Sequence, residues 1–307
     1  MPFLKLIRFQ NLLIVVLTQY LFQYFIIIPA LQKAHLSPLL DHVHFFLFVI
    51  STVIIAAGGY IINDITDYEI DILNKPERVI INKNISAPNA QKLYWGITVL
   101  GFLISLYIAY HIDNLLLVLI YPFAIFLLYV YSKSLKKSVL WGNMIVSVFC
   151  AFVAGIVLFA ERENVSTLLS IKRGVGKEVI EIFMFYFIFA FLSTMVREII
   201  KDIEDVNGDV QNECKTLPIV YGIPKAKGVA TVFGITLLAA LVYWIFYRSE
   251  NGHLEGSLYL VVGIIVPLSM LLVGLLFAQA PHHYQRLSMG AKYLMLSGIL
   301  YLFFAML

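Results

Sequence analysis

The sequence predicts an all-α, polytopic membrane protein with nine transmembrane helices. Of its 307 residues, 61% are hydrophobic and only 13% are charged, whereas a soluble domain has about 45–50% apolar and about 25% charged residues. Apolar runs close to the ~20 residues that a helix needs to span a bilayer recur along the whole chain. Most of these runs lack the polar face that a helix of a soluble protein presents to water.

Nine apolar runs define the predicted spans in order. They cover residues 11–31, 44–62, 93–111, 114–131, 139–160, 179–200, 227–248, 256–279 and 291–307. A tight hairpin joins the third span to the fourth, and the ninth span is short. Polar loops follow the second and the sixth spans, which run in the same direction across the membrane.

The distribution of Lys and Arg predicts the orientation of these spans. With the N-terminus inside, 16 of these residues fall in inside segments and 6 in outside segments. Because cytoplasmic loops carry an excess of Lys and Arg, we expect a cytoplasmic N-terminus and a C-terminus on the outside.

Charge and cysteine usage exclude several other classes. The net charge is only +3, and no basic stripe with interleaved aromatics indicates nucleic acid as a partner. Cys150 lies in an apolar span and Cys214 in a polar loop, so no disulfide framework is expected. The N-terminal segment MPFLKLIRFQ runs into the first span without a small-residue cleavage site, so we expect no removable signal peptide.

The segment NDITDYEID, residues 63–71, follows the second span and is strongly acidic. Asn63, Asp67 and Asp71 are spaced four residues apart and share one face if the helix of the second span continues. Asp64 lies beside that face. Charged side chains next to a bilayer are costly and tend to be functional.

A second acidic segment, REIIKDIEDVNGD, follows the sixth span. Asp205 and Asp209 again stand four residues apart, and Asp202 precedes Asp205 by three. We expect Gly208 to bend or end the helix here. The similar position of the two acidic segments suggests a parallel internal repeat.

Carboxylate and amide oxygens at these spacings suit Mg²⁺, which is usually held by one or two carboxylates together with substrate phosphate oxygens. Two such segments predict a clamp for one diphosphate, with apolar helices nearby for a long hydrocarbon tail. Basic residues available to complete the clamp are Arg78, Lys83, Lys136, Lys137, Lys201 and Lys215. The competing interpretation is a pair of solvated helix ends with surface Lys partners.

Motifs throughout the chain resemble the UbiA superfamily of intramembrane prenyltransferases. The matching segments are NDxxDxxxD (Asn63, Asp64, Asp67, Asp71), DxxxD (Asp205, Asp209), NKPERVIINKNIS from Asn74, YSKSLKKSVLWGN from Tyr131, CKTLPIVYG from Cys214, and Arg8 with Asn11. The chain departs from the family pattern at Val79, where a proline is usual, and at residues 82–84, which replace a glycine. The outside loop at residues 161–178 is longer and more charged than the family pattern.

The resemblance implies a single domain over residues 1–307, with helices 1–4 and 5–8 as a pseudo-repeat and helix 9 added, around a central apolar cavity. It implies Mg²⁺-dependent transfer of a prenyl group from an allylic prenyl diphosphate to a lipid-like or aromatic acceptor in the membrane. An allylic carbocation would form behind apolar walls that exclude water. The active site would face the cytoplasm, in the cell inner membrane or an equivalent membrane.

The resemblance also implies roles for individual residues. The implied metal ligands, direct or through water, are Asn63, Asp64, Asp67, Asp71, Asp205 and Asp209. The catalytic residues among them are Asp67, Asp71, Asp205 and Asp209. The implied substrate contacts are Arg8, Asn11, Arg78, Tyr131, Lys136 and Lys201. Tyr131 would stabilise a carbocation through its ring, and Asp202 would orient a neighbouring Arg or Lys.

The acceptor is less well defined by the sequence. REIIKDIEDVNGD and CKTLPI look most like the geranylgeranylglyceryl-phosphate branch of the family, which forms an ether bond in lipid synthesis. Prenylation of an aromatic acid for quinone synthesis is the alternative. A membrane transporter would place its acids inside the spans, and a CDP-alcohol phosphotransferase would carry D-G-x-x-A-R, which this sequence lacks.

Overall fold

A computed structural model describes residues 2–74, 76–77, 79–211, 213–250 and 256–305. Within these ranges, nine helices are long and apolar enough to cross a membrane. They are α1 Phe9–Lys33, α2 His42–Thr66, α3 Ala87–His111, α4 Leu115–Lys133, α5 Trp141–Ala160, α6 Arg173–Glu204, α7 Ile223–Glu250, α8 Ser257–Phe277 and α9 Pro281–Phe304. The predicted all-α fold with nine spans is therefore confirmed.

Short helices occupy several of the connections. They are Pro2–Leu6, Tyr68–Asn74, Leu135–Lys137, Arg162–Ile171, Val206–Gln211 and Leu217–Tyr221. An isolated bridge between Ile81 and Ile85 is the only β pairing in the described part of the chain.

Two segments that the sequence suggested as loops are helical. The last span begins at Pro281, ten residues before the predicted start, because a proline fits the first turn of a helix, where its missing N–H costs nothing. The connection after α5 forms the helix Arg162–Ile171, which buries Asn164, Val165 and Leu168 along one side. The burial of Val165 and Leu168, with a hydrogen bond from Asn164 Nδ2 to Glu161 Oε2 at 2.7 Å, explains why a charged stretch is ordered as a helix.

Two π-helical turns interrupt long helices, and each lies just before a proline. Phe22–Ile27 lies within α1 and Val261–Ile265 within α8. A proline follows each turn by two residues, at Pro29 and at Pro267. Because proline cannot donate the usual hydrogen bond to the carbonyl four residues earlier, the preceding turn widens instead of breaking.

The chain forms two compact units, the first comprising residues 1–19 and 38–136. In this unit α2 packs against α3 and α4. A buried apolar cluster is formed by Leu6, Ile61, Ile62, Ile80, Ile81, Ala90 and Tyr94. Since Ile61 and Ile62 directly precede Asn63, this cluster fixes the end of α2 from which the first acidic segment extends.

The turn that leads into α3 explains one departure from the family pattern. Asn82 has a φ of 60°, a left-handed conformation that Asn tolerates better than most residues other than glycine. Its side-chain Oδ1 also accepts a hydrogen bond from the Ala87 amide at 3.0 Å. Asn82 therefore takes the place of glycine in this turn.

The second unit comprises residues 20–37 and 137–307. Its central helix is α6, which packs against α5, α7 and α9. Ile199, Ile200 and Ile203 are buried in the last turns of α6, directly before the second acidic segment. Packing of these residues positions the acidic end of α6 within its unit.

Candidate active site

The first acidic segment (residues 63–71) crosses the end of α2 into the helix Tyr68–Asn74. Asp67 stands at the break, with φ −92° and ψ 0°. Its amide donates to the Asn63 carbonyl at 2.9 Å, and the Asp71 amide donates to the Asp67 carbonyl at 2.8 Å. The four-residue alignment of Asn63, Asp67 and Asp71 therefore continues across the break.

Lys136 is the cation that pairs with Asp67 in this segment. Its Nζ forms an ion pair with Asp67 Oδ1 and also donates to Thr66 Oγ1 at 3.0 Å and Asn63 Oδ1 at 3.4 Å. Asn63 Nδ2 in turn donates to Asp67 Oδ2 at 2.7 Å. The side chains of Lys136 and Asp67 are only 12% and 16% exposed, so solvent screens this ion pair weakly. The lysine predicted to contact a diphosphate is thus held against the acids.

Arg8 is the second cation at the first acidic segment. Its Nη2 donates to Asp64 Oδ1 at 3.1 Å, and its guanidinium lies 4.9 Å from the ring centre of Tyr60. The Arg8 backbone has a φ of 49°, a conformation that costs a non-glycine residue of order 1–3 kcal/mol. The turn between Pro2–Leu6 and α1 therefore holds this side chain at the acids at the expense of backbone strain.

Asp71 lies in the short helix beyond the break. Burial, together with the charges of Asp67 and Asp64, raises the pKa of Asp71 to about 6. Without a metal ion, this carboxyl group therefore gains a proton more readily than an ordinary aspartate does.

The second acidic segment (residues 202–209) has a similar backbone. α6 ends at Glu204, and Asp205 has φ −93° and ψ 3°. Its amide donates to the Lys201 carbonyl at 2.9 Å, and the Asp209 amide donates to the Asp205 carbonyl at 3.0 Å. The helix thus breaks at Asp205, and the expectation of a break at Gly208 is wrong. Gly208 is buried inside the helix Val206–Gln211.

Asp202 is bound by an amide group. Asn143, a buried residue of α5, donates a hydrogen bond from Nδ2 to Asp202 Oδ2 at 2.8 Å. The sequence suggested that Asp202 orients a neighbouring Arg or Lys. In the structure, Asp202 instead accepts this hydrogen bond from Asn143. Lys201 Nζ lies 3.9 Å from Glu198 Oε2, and its side chain is 41% exposed.

The remaining predicted site residues are placed as follows. Tyr131 lies near the end of α4, close enough to interact electrostatically with Arg8. Asn11 is half-buried in the first turn of α1. Arg78 lies outside the described residues. The first unit therefore brings together Arg8, Lys136 and all four residues of the NDxxDxxxD pattern.

Sequence reasoning missed Asn143, Thr66 and Glu198. Thr66 lies within the first acidic segment, but a hydroxyl group there carried no signal of its own. Glu198 is buried and paired with Arg197. A signal for Asn143 does exist: it is the third residue of α5, as Asn11 is the third residue of α1.

The first acidic segment fits Mg²⁺ by the chemistry of its donor atoms. Three oxygen atoms, from Asn63, Thr66 and Asp67, converge on one ammonium group of Lys136. Asp64 and Asp71 supply further carboxylate oxygens nearby. Such oxygen-only sets are those that Mg²⁺ prefers, and they can stabilise charge that develops on a phosphate oxygen.

Comparison with known proteins agrees with this chemistry. The family described as UbiA prenyltransferase matches residues 24–295. A digeranylgeranylglyceryl phosphate synthase from Sulfurisphaera tokodaii is 32% identical over 216 residues, which are 69% of this chain and 70% of that protein.

Solved structures share the fold. One is the structure of a digeranylgeranylglyceryl phosphate synthase. It is 24% identical to this chain, with a TM-score of 0.65, and the match covers 99% of this chain and 98% of the synthase chain. A UbiA homolog from Archaeoglobus fulgidus, bound to DMAPP and Mg²⁺, is 14% identical, with a TM-score of 0.55 over 98% and 99% of the two chains. The chain therefore belongs to the UbiA prenyltransferase family and is an integral membrane prenyltransferase.

Proposed function

We propose that the protein transfers a geranylgeranyl group from geranylgeranyl diphosphate to geranylgeranylglyceryl phosphate, in an Mg²⁺-dependent step of ether-lipid synthesis. The observation that carries the proposal is that each of two acidic segments lies at the break of a long apolar helix. The first pairs with the Lys136 ammonium and the second with the Asn143 amide. The choice of acceptor is supported by the Sulfurisphaera relative, which is named digeranylgeranylglyceryl phosphate synthase.

The acidic residues are assigned to the metal. Asn63, Asp64, Asp67 and Asp71 in the first segment and Asp205 and Asp209 in the second would hold Mg²⁺, directly or through water. When bound, the metal would supply positive charge to the leaving diphosphate. Magnesium is chosen because of the oxygen-only donor set, and because the Archaeoglobus homolog is described as bound to Mg²⁺.

Lys136 has two partners in this proposal. Without metal it neutralises Asp67. With Asp67 assigned to Mg²⁺, Lys136 would donate to a diphosphate oxygen instead. Arg8 and Lys201 are assigned to the same anion, together with Arg78, whose assignment rests on the family resemblance alone.

The reaction then follows from the substrate chemistry. The allylic C–O bond breaks and its electron pair leaves with the diphosphate. The glycerol hydroxyl of the acceptor forms the new C–O bond at the allylic carbon and loses its proton, so one ether, one diphosphate and one proton result. Tyr131 is assigned to the carbocation face, where the π system of an aromatic ring favours positive charge. A central apolar cavity would hold the prenyl chain and exclude water.

The orientation and the internal organisation belong to the same proposal. The bias of Lys and Arg supports a cytoplasmic N-terminus and an active site facing the cytoplasm of the cell inner membrane or an equivalent membrane. The shared spacing of the two acidic segments supports one domain built from a pseudo-repeat of helices 1–4 and 5–8, with helix 9 added.

Product analysis tests the proposal. Purified protein in detergent with Mg²⁺ receives geranylgeranyl diphosphate together with geranylgeranylglyceryl phosphate or, in parallel, 4-hydroxybenzoate, dihydroxynaphthoate or homogentisate. Mass spectrometry should detect a doubly prenylated glycerol phosphate. A prenylated aromatic acid in its place would move the enzyme to quinone synthesis. No product from any pair, with donors of several lengths, would overturn the assigned reaction.

A further inference from the structure

A cluster of metal-binding side chains lies at the end of α2 remote from the first acidic segment. Asp41 precedes α2, His44 lies in its first turn, and His111 is the last residue of α3. Each offers one ligand atom, and these atoms all lie within 4.8 Å of one another. Asp41 and Asp67 flank α2 at opposite ends, and a helix of this length spans about 39 Å. The cluster is therefore separate from the proposed active site.

The side chains already have the contacts that a metal ligand needs. His44 Nδ1 lies 2.9 Å from Asp41 Oδ2, and His44 Nε2 lies 3.1 Å from the Tyr107 hydroxyl. The second oxygen of Asp41 accepts hydrogen bonds from the Val43 and His44 amides, both at 2.9 Å. Metal-binding histidines and carboxylates are usually oriented by such hydrogen bonds on their other polar atom.

The second imidazole comes from a different helix. The rings of His44 and His111 are stacked, with centres 3.5 Å apart and planes inclined by 7°. Two imidazoles and one carboxylate form a mixed nitrogen and oxygen donor set. Such a set suits zinc and similar transition metals better than Mg²⁺ or Ca²⁺, which prefer oxygen alone.

We propose that Asp41, His44 and His111 are the protein ligands of a divalent transition-metal site of the zinc class, which ties the start of α2 to the end of α3. The ion takes the place of the proton between His44 Nδ1 and Asp41 Oδ2. With metal–ligand bonds of about 2.0–2.2 Å, these two atoms would lie about 3.3 Å apart in tetrahedral geometry. Their separation of 2.9 Å therefore needs only a small rotation of these two side chains. The His111 ring must turn out of its stacked arrangement, because a metal ion lies in the plane of each imidazole that binds it.

Three protein ligands leave the fourth position of a tetrahedral zinc ion for water. The expected consequence is a clip within the first unit, so metal binding should raise the melting temperature without taking part in prenyl transfer.

The site can be tested on the full-length protein in detergent, after removal of any affinity tag and with Mg²⁺ in excess to saturate oxygen-only sites. Cu²⁺ is the spectroscopic probe, because imidazole coordination gives nitrogen hyperfine structure in its electron paramagnetic resonance spectrum. We expect one nitrogen-coordinated Cu²⁺ per chain, which only a large excess of Zn²⁺ displaces, because Cu²⁺ binds a given nitrogen and oxygen site more tightly. Zn²⁺ alone should raise the melting temperature.

Three variants probe the ligands. His44→Gln and His111→Gln should each weaken Zn²⁺ binding at least tenfold. Asp41→Asn should also weaken it while preserving the helix cap, because Asn caps helices as well as Asp does. His42→Gln, on a neighbouring exposed histidine, is the matched control and should bind Zn²⁺ like the unmodified protein.

An unchanged Cu²⁺ spectrum together with an unchanged Zn²⁺ affinity in both histidine variants would overturn the proposal, as would the absence of any Zn²⁺-dependent melting shift in the unmodified protein. Prenyl transfer assayed with Mg²⁺ should be unchanged in all of these variants. Failure of the zinc site is therefore distinguishable from failure of the proposed function.

Discussion

Asp67 and Asp205 occupy equivalent positions in the two units. Each is the first residue after a long helix, with φ and ψ of −92° and 0° for Asp67 and −93° and 3° for Asp205. Each is preceded by an aspartate three residues earlier and followed by one four residues later. The carboxylate of the preceding aspartate is bound by Arg8 in the first unit and by Asn143 in the second. This correspondence is the structural basis for assigning both segments to one function.

Replacement of Lys136 tests its role as the partner of Asp67. Lys136→Met should lower kcat/KM for prenyl transfer about 100-fold, equivalent to about 2.7 kcal/mol, because it removes a cation from both the acids and the diphosphate. Lys136→Arg keeps the charge and should recover part of the activity. Steady-state kinetics with purified protein measures both variants. Full activity of Lys136→Met would show that this cation has no part in the reaction.

Asn143 should act by positioning Asp202. Asn143→Leu removes the hydrogen bond at similar size. Asp202 then loses this partner one turn before the assigned ligand Asp205, so the Mg²⁺ concentration needed for half-maximal activity should rise about tenfold. Ser147→Ala is the matched control one turn along α5, because Ser147 donates only to the Asn143 backbone carbonyl. Titration of activity with Mg²⁺ distinguishes the two. An equal shift in both variants would assign the effect to packing.

The raised pKa of Asp71 predicts how pH affects metal binding. Below about pH 6 Asp71 carries a proton in the metal-free protein, and Mg²⁺ must displace that proton. The apparent affinity for Mg²⁺ should therefore fall about tenfold per pH unit below 6, and should depend little on the protonation of Asp71 above 7. Calorimetric Mg²⁺ titrations from pH 5 to pH 8 measure this. Asp71→Asn should bind Mg²⁺ more weakly and lose this pH dependence.

Asn82 offers a test of the fold apart from catalysis. Its left-handed backbone resists a β-branched side chain, so Asn82→Val should destabilise the protein by about 1–3 kcal/mol. Asn82→Gly should be close to neutral, apart from loss of the hydrogen bond to Ala87. Asn84→Val, also exposed but without a left-handed backbone, is the control. Thermal melting in detergent should place Asn82→Val well below Asn84→Val, and equal melting temperatures would contradict the account of this turn.

The sequence predicted the nine spans well because hydrophobic runs of the length of a bilayer are a strong one-dimensional signal. It was less successful at segment ends. The ninth span was expected to begin at residue 291, but residues 281–290 already form the start of α9, since polar residues beyond the apolar run can continue a helix outside the membrane. The helix Arg162–Ile171 was missed because only three of its ten residues are buried.

In the site, spacing alone predicted the alignment of Asn63, Asp67 and Asp71. It did not predict that Lys136 would pair with Asp67 or Arg8 with Asp64, because these partners are 69 and 56 residues apart in the chain. Contacts between remote residues depend on helix packing, which leaves no local pattern. The break at Asp205 was assigned to Gly208 because glycine is the more common helix breaker.

The most direct test of the central claim is geranylgeranyl transfer measured with Mg²⁺ for the unmodified protein, Asp67→Asn and Asp205→Asn. Both substitutions keep the size of the side chain and remove its charge. Each should lower turnover at least about 1,000-fold with helical content retained, and the double variant should be little worse than either single one, because residues that act as a unit are not additive. Asp113→Asn, at an exposed turn outside the acidic segments, should retain full activity. Near-normal turnover of either Asp67→Asn or Asp205→Asn would contradict the assignment of both acidic segments to one diphosphate.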